Sequence, residues 1–139
     1  MARTKITTSQ LDTGIQGNAT NPNATTTSTT YTTNLSDAVT TSATAIVPSS
    51  GKVLVSLSAY FFNSGAFIGF MCFSASGANT IAASDYNGIQ HKMNSNDGTV
   101  GSSFLLAGLT PGSTTFTLNY RCTGGTETFG TRRIVVQPC

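Results

Sequence analysis

The stretch "KVLVSLSAYFF", residues 52–62, alternates at period two: Val53, Val55, Leu57, Ala59 and Phe61 fall on one side, Ser56, Ser58 and Tyr60 on the other. An extended strand turns successive side chains to opposite faces, so the run predicts a strand with one buried face. A second run, "TFTLNYRC" (115–122), repeats the pattern after the turn "TPGS". Phe116, Leu118, Tyr120 and Cys122 point inward there, and Thr115, Thr117, Asn119 and Arg121 face out. No window carries apolar residues at helical spacing over three turns. With 25 Thr and 16 Ser, the chain draws its polarity from hydroxyls rather than from charge, and β-branched Thr favours strands. The expected class is all-β.

Further strands are read at "ATAIVP" (43–48), "SSFLLAGL" (102–109) and "TFGTRRIVV" (128–136), with a weaker one at "TIAAS" (80–84) and a long polar loop over 86–98. "AFIGFMCFSAS" (66–76) is apolar on both faces. Such a strand needs cover on both sides, here expected from a second sheet and a neighbouring subunit. Seven or eight strands between turn clusters suggest an antiparallel two-sheet sandwich, jelly-roll-like or immunoglobulin-like. Residues 1–30 are poor in large apolar groups, and "ATNPNATTTSTT" has none beyond Ala. That composition cannot build a core. The expected division is an extended N-terminal arm over 1–30 and a β-sandwich domain over 31–139. Arg3, Lys5, Ile6, Leu11 and Ile15 are the arm's charged or apolar anchors and its candidate partner-binding residues.

Chemistry finds little material. The acids are Asp12, Asp37, Asp85, Asp97 and Glu127, with one histidine, His91, read as a loop residue. No two acids are neighbours in sequence, as a glycosidase pair would need to become in space, and no nucleophile elbow is present. "SSGKV" lacks the first glycine and the hydroxyl of a phosphate loop, and "NSNDG" lacks the ligand spacing of a calcium loop. Cys72, Cys122 and Cys139 have neither zinc nor disulfide-scaffold spacing. They read as two buried hydrophobes and a terminal thiol, with a Cys72–Cys122 contact as the alternative. The expectation is no enzyme, no catalytic or metal-binding residues and no cofactor. A net charge of +2 without a basic stripe argues against nucleic acid, and no apolar run is long enough for a membrane span. No apolar segment follows Arg3 and Lys5, so no secretory signal is expected, and the sequons at Asn18, Asn23 and Asn34 carry little meaning. Arg132-Arg133 should place one charge on each face of a strand.

The final third, "SSFLLAGLTPGSTTFTLNYRCTGGTETFGTRRIVVQP", together with "GKVLVSLSAYFFN" and "FMCFSASG", resembles small virion proteins of tailed bacteriophages over roughly residues 30–138. Those proteins are jelly-roll or tumour-necrosis-factor-like domains, often trimeric, serving as capsid decoration (cement) proteins, head fibres and tail-fibre heads. The resemblance implies a structural protein on the capsid surface, made in the host cytoplasm, whose partners are the major capsid protein and itself as a homotrimer. A head-fibre or tail-fibre role is the alternative it leaves, with recognition of a host glycan unsupported by any residue pattern. A fibronectin-like or immunoglobulin-like adhesion module also uses a Leu-x-Pro-Gly turn, but Trp is absent and the tyrosine, Tyr120, comes late in its strand. An extended arm of thirty residues reaches on the order of 100 Å, can add strands to a capsid sheet and, three to a trimer, gains avidity.

Overall fold

The computed structural model describes residues 14–92 and 94–139. The nine strands among these residues are β1 Gln16–Thr20, β2 Ala24–Thr26, β3 Ser42–Val47, β4 Val53–Asn63, β5 Ile68–Gly77, β6 Gly88–Lys92, β7 Asn96–Leu106, β8 Gly112–Cys122 and β9 Glu127–Pro138. One sheet runs β1-β9-β4-β7 with β2 also on β9, and the other runs β3-β8-β5-β6. All pairings are antiparallel. From β3 onward each strand lies in the opposite sheet to the next, except for the β5–β6 step. This is the winding of a jelly roll.

The alternating runs do what their period requires. Val53, Val55, Leu57, Ala59 and Phe61 of β4 face Phe116, Leu118 and Tyr120 of β8 within one core, and all are buried. Each fully buried Leu or Phe contributes about 1.5–3 kcal/mol. Phe61, Phe129 and Tyr120 pack edge-on or tilted at centroid distances of 5.1 and 5.0 Å.

A β-bulge in β9 decides which arginine goes inside. Ser58 and Tyr60 of β4 pair with Arg133 and Gly130, so β9 carries one extra residue over this step. Thr131 sits there at a φ of 42°. The extra residue shifts the alternation by one. Glu127 and Phe129 are buried before it, and Arg132, Ile134 and Val136 after it.

Four expectations need correcting. Residues 86–98 are not a loop: they contain β6 and the start of β7, edge strands whose solvated polar side chains hide the strand signal. His91 therefore lies on a strand, its ring stacked on Phe61 at 6.2 Å. "TIAAS" makes only an isolated bridge, Ala75 to Ile81. Residues 16–20 and 24–26, assigned to the arm, are strands bonded to β9. They join the sheet through backbone pairing, which needs no apolar side chains. Finally, the outer face of β5 is covered by this chain's own residues rather than by a neighbour, as shown next.

Candidate functional site

On the outer face of the β3-β8-β5-β6 sheet, Phe70 and Cys72 are buried. The Arg121 guanidinium lies 3.7 Å from the Phe70 ring centroid and 5.3 Å from that of Tyr31. Its Nη2 donates to both Asp85 oxygens, at 2.8 and 2.7 Å, and Tyr31 Oη donates to Oδ1 at 2.6 Å. Asp85 opens a short 3-10 turn, Asp85–Asn87, capped by the Ser84 side chain. The Arg121 hydrogen bonds, then that of Tyr31, hold the Asp85 carboxyl below its ordinary range. Burial pushes the Cys72 thiol up to about 11, so it stays protonated and unreactive. The arrangement is a clamp that shuts a flap over Cys72. Replacing Arg121 with Ala in a Cys139→Ser background is expected to cost about 1–2 kcal/mol and to let thiol reagents reach Cys72. A Cys72 as inert as in the parent protein would contradict the clamp.

Two further acids are tied up, Asp37 partly exposed and Glu127 inside. Arg132 is fully buried and donates through Nη2 to Asp37 Oδ2 and, at 3.4 Å, to Pro22 O. Burial works against ionisation of Asp37, yet the Arg132 hydrogen bond and the Val39 N–H outweigh it and keep its pKa below the ordinary value. Glu127 is also fully buried; its Oε2 accepts from Asn63 Nδ2 at 3.0 Å. The thiol nearest Glu127 is that of Cys122, which burial pushes up and keeps protonated, so it is not the activated nucleophile that a catalytic pair would require. Among the described residues no three His, Cys, Asp or Glu side chains cluster as metal ligands would. Cys72 and Cys122 are both free thiols.

What remains is surface. The outer face of the β1-β9-β4-β7 sheet carries Gly17, Ala19, Leu54, Ser56, Ser58, Tyr60, Phe62, Leu105 and Val135 in register. Phe62, Leu105 and Val135 are exposed, Leu105 to 64%. Charges on these strands' outer side are Arg133 and Asp97, and Asp97 accepts from Tyr60 Oη at 3.1 Å. A shallow depression of about 350 Å³ lies over Gly17, Asn18, Ala19, Arg133 and Val135. At the margin, β7 is bonded among the described residues on one side only, to β4, and its inward residues Val100, Phe104 and Leu106 are only partly buried. A flat, nearly neutral, small-residue face beside an open strand edge suits a protein partner.

Of the arm anchors, Ile15 is 62% exposed and continues the Gly17 and Ala19 side of β1, bringing it to this same face. Arg3, Lys5, Ile6 and Leu11 lie outside the described residues. The sequence reading missed the roles of Asp37, Asp85, Arg121 and Glu127. The only signal for them was that charges in a chain 9% charged are each worth a partner.

No family model and no curated protein sequence matches the chain. Among solved structures it is similar to the Eiger TNF of S. frugiperda, at 12% identity and a TM-score of 0.57, over 90% of this chain and 91% of that one. It also matches the enzymatically active domain of bacteriophage CBA120 tailspike protein 4, at 13% identity and a TM-score of 0.34, over 86% of this chain and 18% of that one. A family two carbohydrate esterase from Cellvibrio japonicus matches at 14% identity and a TM-score of 0.31, over 90% and 34% of the two chains. The last two likenesses are too loose to carry an argument. The first shows the fold: a TNF-like jelly roll.

Proposed function

We propose that this protein is a structural component of a tailed-phage virion that decorates the capsid as a homotrimer, its N-terminal segment holding it to the shell. The observation that carries the reading is the outer face of the β1-β9-β4-β7 sheet, with its exposed Phe62, Leu105 and Val135 and few charges. A face of that kind and the open β7 edge are different surfaces of one sheet. A contact between them is heterologous, and such a contact closes into a ring when its rotation is a whole fraction of a turn. The doubly apolar β5 no longer supports the trimer, because the Arg121 clamp covers it. The resemblance of residues 30–138 to phage virion proteins supplies the capsid as partner. Bound copies would stabilise the shell by linkage.

The attachment test uses truncation at residue 13. Removing residues 1–28, which the arm reading would delete, also removes β1 and β2 from β9 and confounds the result. A chain starting at Gly14 keeps every described pairing. Co-sedimentation with undecorated capsids is expected to retain the full chain and lose the truncated one, which keeps its thermal melt. Undiminished binding of the truncated protein would move the anchor to the sandwich; no binding by the full chain would end the decoration reading.

A fibre or receptor-binding role is the second reading. Tyr86 favours it: the residue is 92% exposed on a turn fixed by Ser84, Asn87 and the Asp85 clamp, and tyrosines are enriched among binding anchors.

A further inference from the structure

We infer that Glu127 is a proton-operated latch for the strap Ala24–Thr32, which ties the N-terminal strands to both sheets. The strap begins on one sheet, where β2 pairs with β9 and Thr26 stands opposite Glu127. It then crosses the end of the sandwich to the other sheet. There Cys122 N–H donates to Ser28 O at 2.9 Å, and Thr32 and Tyr120 exchange backbone bonds at 3.0 and 2.8 Å. Cys122 Sγ also lies 3.8 Å from Thr26 O and 3.5 Å from Ser28 O. Three backbone hydrogen bonds thus hold the strap to β8.

Next to Cys122, and opposite Thr26 in register, lies the buried Glu127. It is closed in from several sides. A methyl group built on Gly69 would stand 2.5 Å from the carboxyl carbon, so only glycine leaves it room. The Phe67 ring lies against Gly65, Gly124 and Gly125, closing the neighbouring turn. Asn63 Nδ2 is the single donor, to Oε2, while Oε1 has none. The groups facing the acid are Asn63 from β4, Gly69 from β5 and the Cys122 thiol from β8, which burial pushes up and keeps neutral. From β6, His91 pairs with Gly69, its ring on Phe61 and its Nδ1 without a partner. The ion pairs among the described residues, Arg121–Asp85 and Arg132–Asp37, leave Glu127 without a countercharge.

A protonated carboxyl fits this pocket; a carboxylate with one donor and no cation does not. Burial, offset in part by the Asn63 bond, moves its pKa from an ordinary 4.5 up to about 7. Between those values the folded chain keeps a proton that the unfolded chain has released. The stabilisation is therefore complete below about 4.5 and is lost as pH rises through about 7. Once ionised, the group gains most by reaching water. The strap, whose Thr26 and Ser28 carbonyls lie on the Cys122 sulfur beside the acid and which three backbone bonds hold to β8, is the cover expected to give way. Raising the pH should free Ser28 and Thr32 of the strap from β8 while the rest of the sandwich stays folded. This does not rest on the virion reading; if that reading holds, loss of the same proton loosens the strap behind the attachment segment.

Hydrogen exchange on the full chain tests it, with intrinsic rates corrected between about pH 5.5 and about pH 8.5. The Thr32, Tyr120 and Cys122 amides are expected to lose about tenfold or more of their protection at the higher pH, and core amides of β4 none. Glu127→Gln, which keeps the neutral shape, should hold the strap at both values. A carbon-13 titration of the Glu127 carboxyl in the unmodified protein should show its midpoint near 7 and keeps the test decisive if the variant fails to fold. Equal strap protection at both pH values, a midpoint in the ordinary carboxylate range, or the same pH response in Glu127→Gln would each overturn the latch.

Discussion

Replacing Asp37 with Ala is expected to cost about 3–5 kcal/mol, because it strands the Arg132 guanidinium without its counter-ion. Arg132 has no exposure, and its other ties are a 3.4 Å bond to Pro22 O and the Tyr120 ring face at 5.7 Å. Its Nε and Nη1 have no protein partner, so no second acceptor takes up the load. A loss of that size is a large part of the total stability of a small domain. The double variant Asp37→Ala with Arg132→Met should recover most of it, since an apolar side chain of similar reach replaces the pair. Urea denaturation of the three proteins measures this. A single variant within about 1 kcal/mol of the parent would mean that the pair is solvated and behaves like a surface salt bridge.

That ion pair also shows where sequence reading stops. The alternation in "RRIVV" predicts one arginine on each face, and this is what forms. Which one turns inward depends on the bulge at Thr131, set by pairing with β4 and by Thr131 N–H donating to Asn21 O at 3.2 Å. Neither contact is visible along the chain. The strands with apolar faces, β4 and β8, were legible because period two is a local property. Edge strands are less so. β6 and β7 expose polar residues on a solvated side, and "QHKMNSND" therefore reads as loop. β1 and β2 bury little except Ala24, and their places come from backbone bonds to β9, to which any sequence without proline could contribute. For β5 the need for cover on both faces was legible, but its source was not. Arg121 points outward by alternation, and only the fold brings Asp85 and Tyr31 to it from 36 and 90 residues earlier in the chain. Glu127 is the same case. A lone acid after Gly-Gly-Thr looks like a turn residue until β4 brings Asn63 beside it.

The last expectation concerns the exposed sheet face: the unmodified protein is expected to sediment as the proposed trimer, and Val135→Asp combined with Leu105→Glu as a folded monomer. Both side chains point away from the core, at 38% and 64% exposure, so charging them removes little packing within the subunit. Val135 sits on β9 with Gly17 of β1 on one side and Ser56 of β4 on the other. Those small neighbours let a second backbone come close, and a carboxylate placed there would be desolvated without a partner on association. Leu105 lies opposite Leu54 near the open edge, where the edge of one copy would meet the face of the next. An interface of about 800 Å² per subunit would have to cover both positions. One unpaired buried charge costs several kcal/mol, and three-fold symmetry repeats each substitution at every contact. Sedimentation velocity at micromolar concentration, with circular dichroism as the control for folding, gives the answer. A variant that remains trimeric would place the interface elsewhere, and an unmodified protein that is monomeric at that concentration would remove the trimer from the proposal.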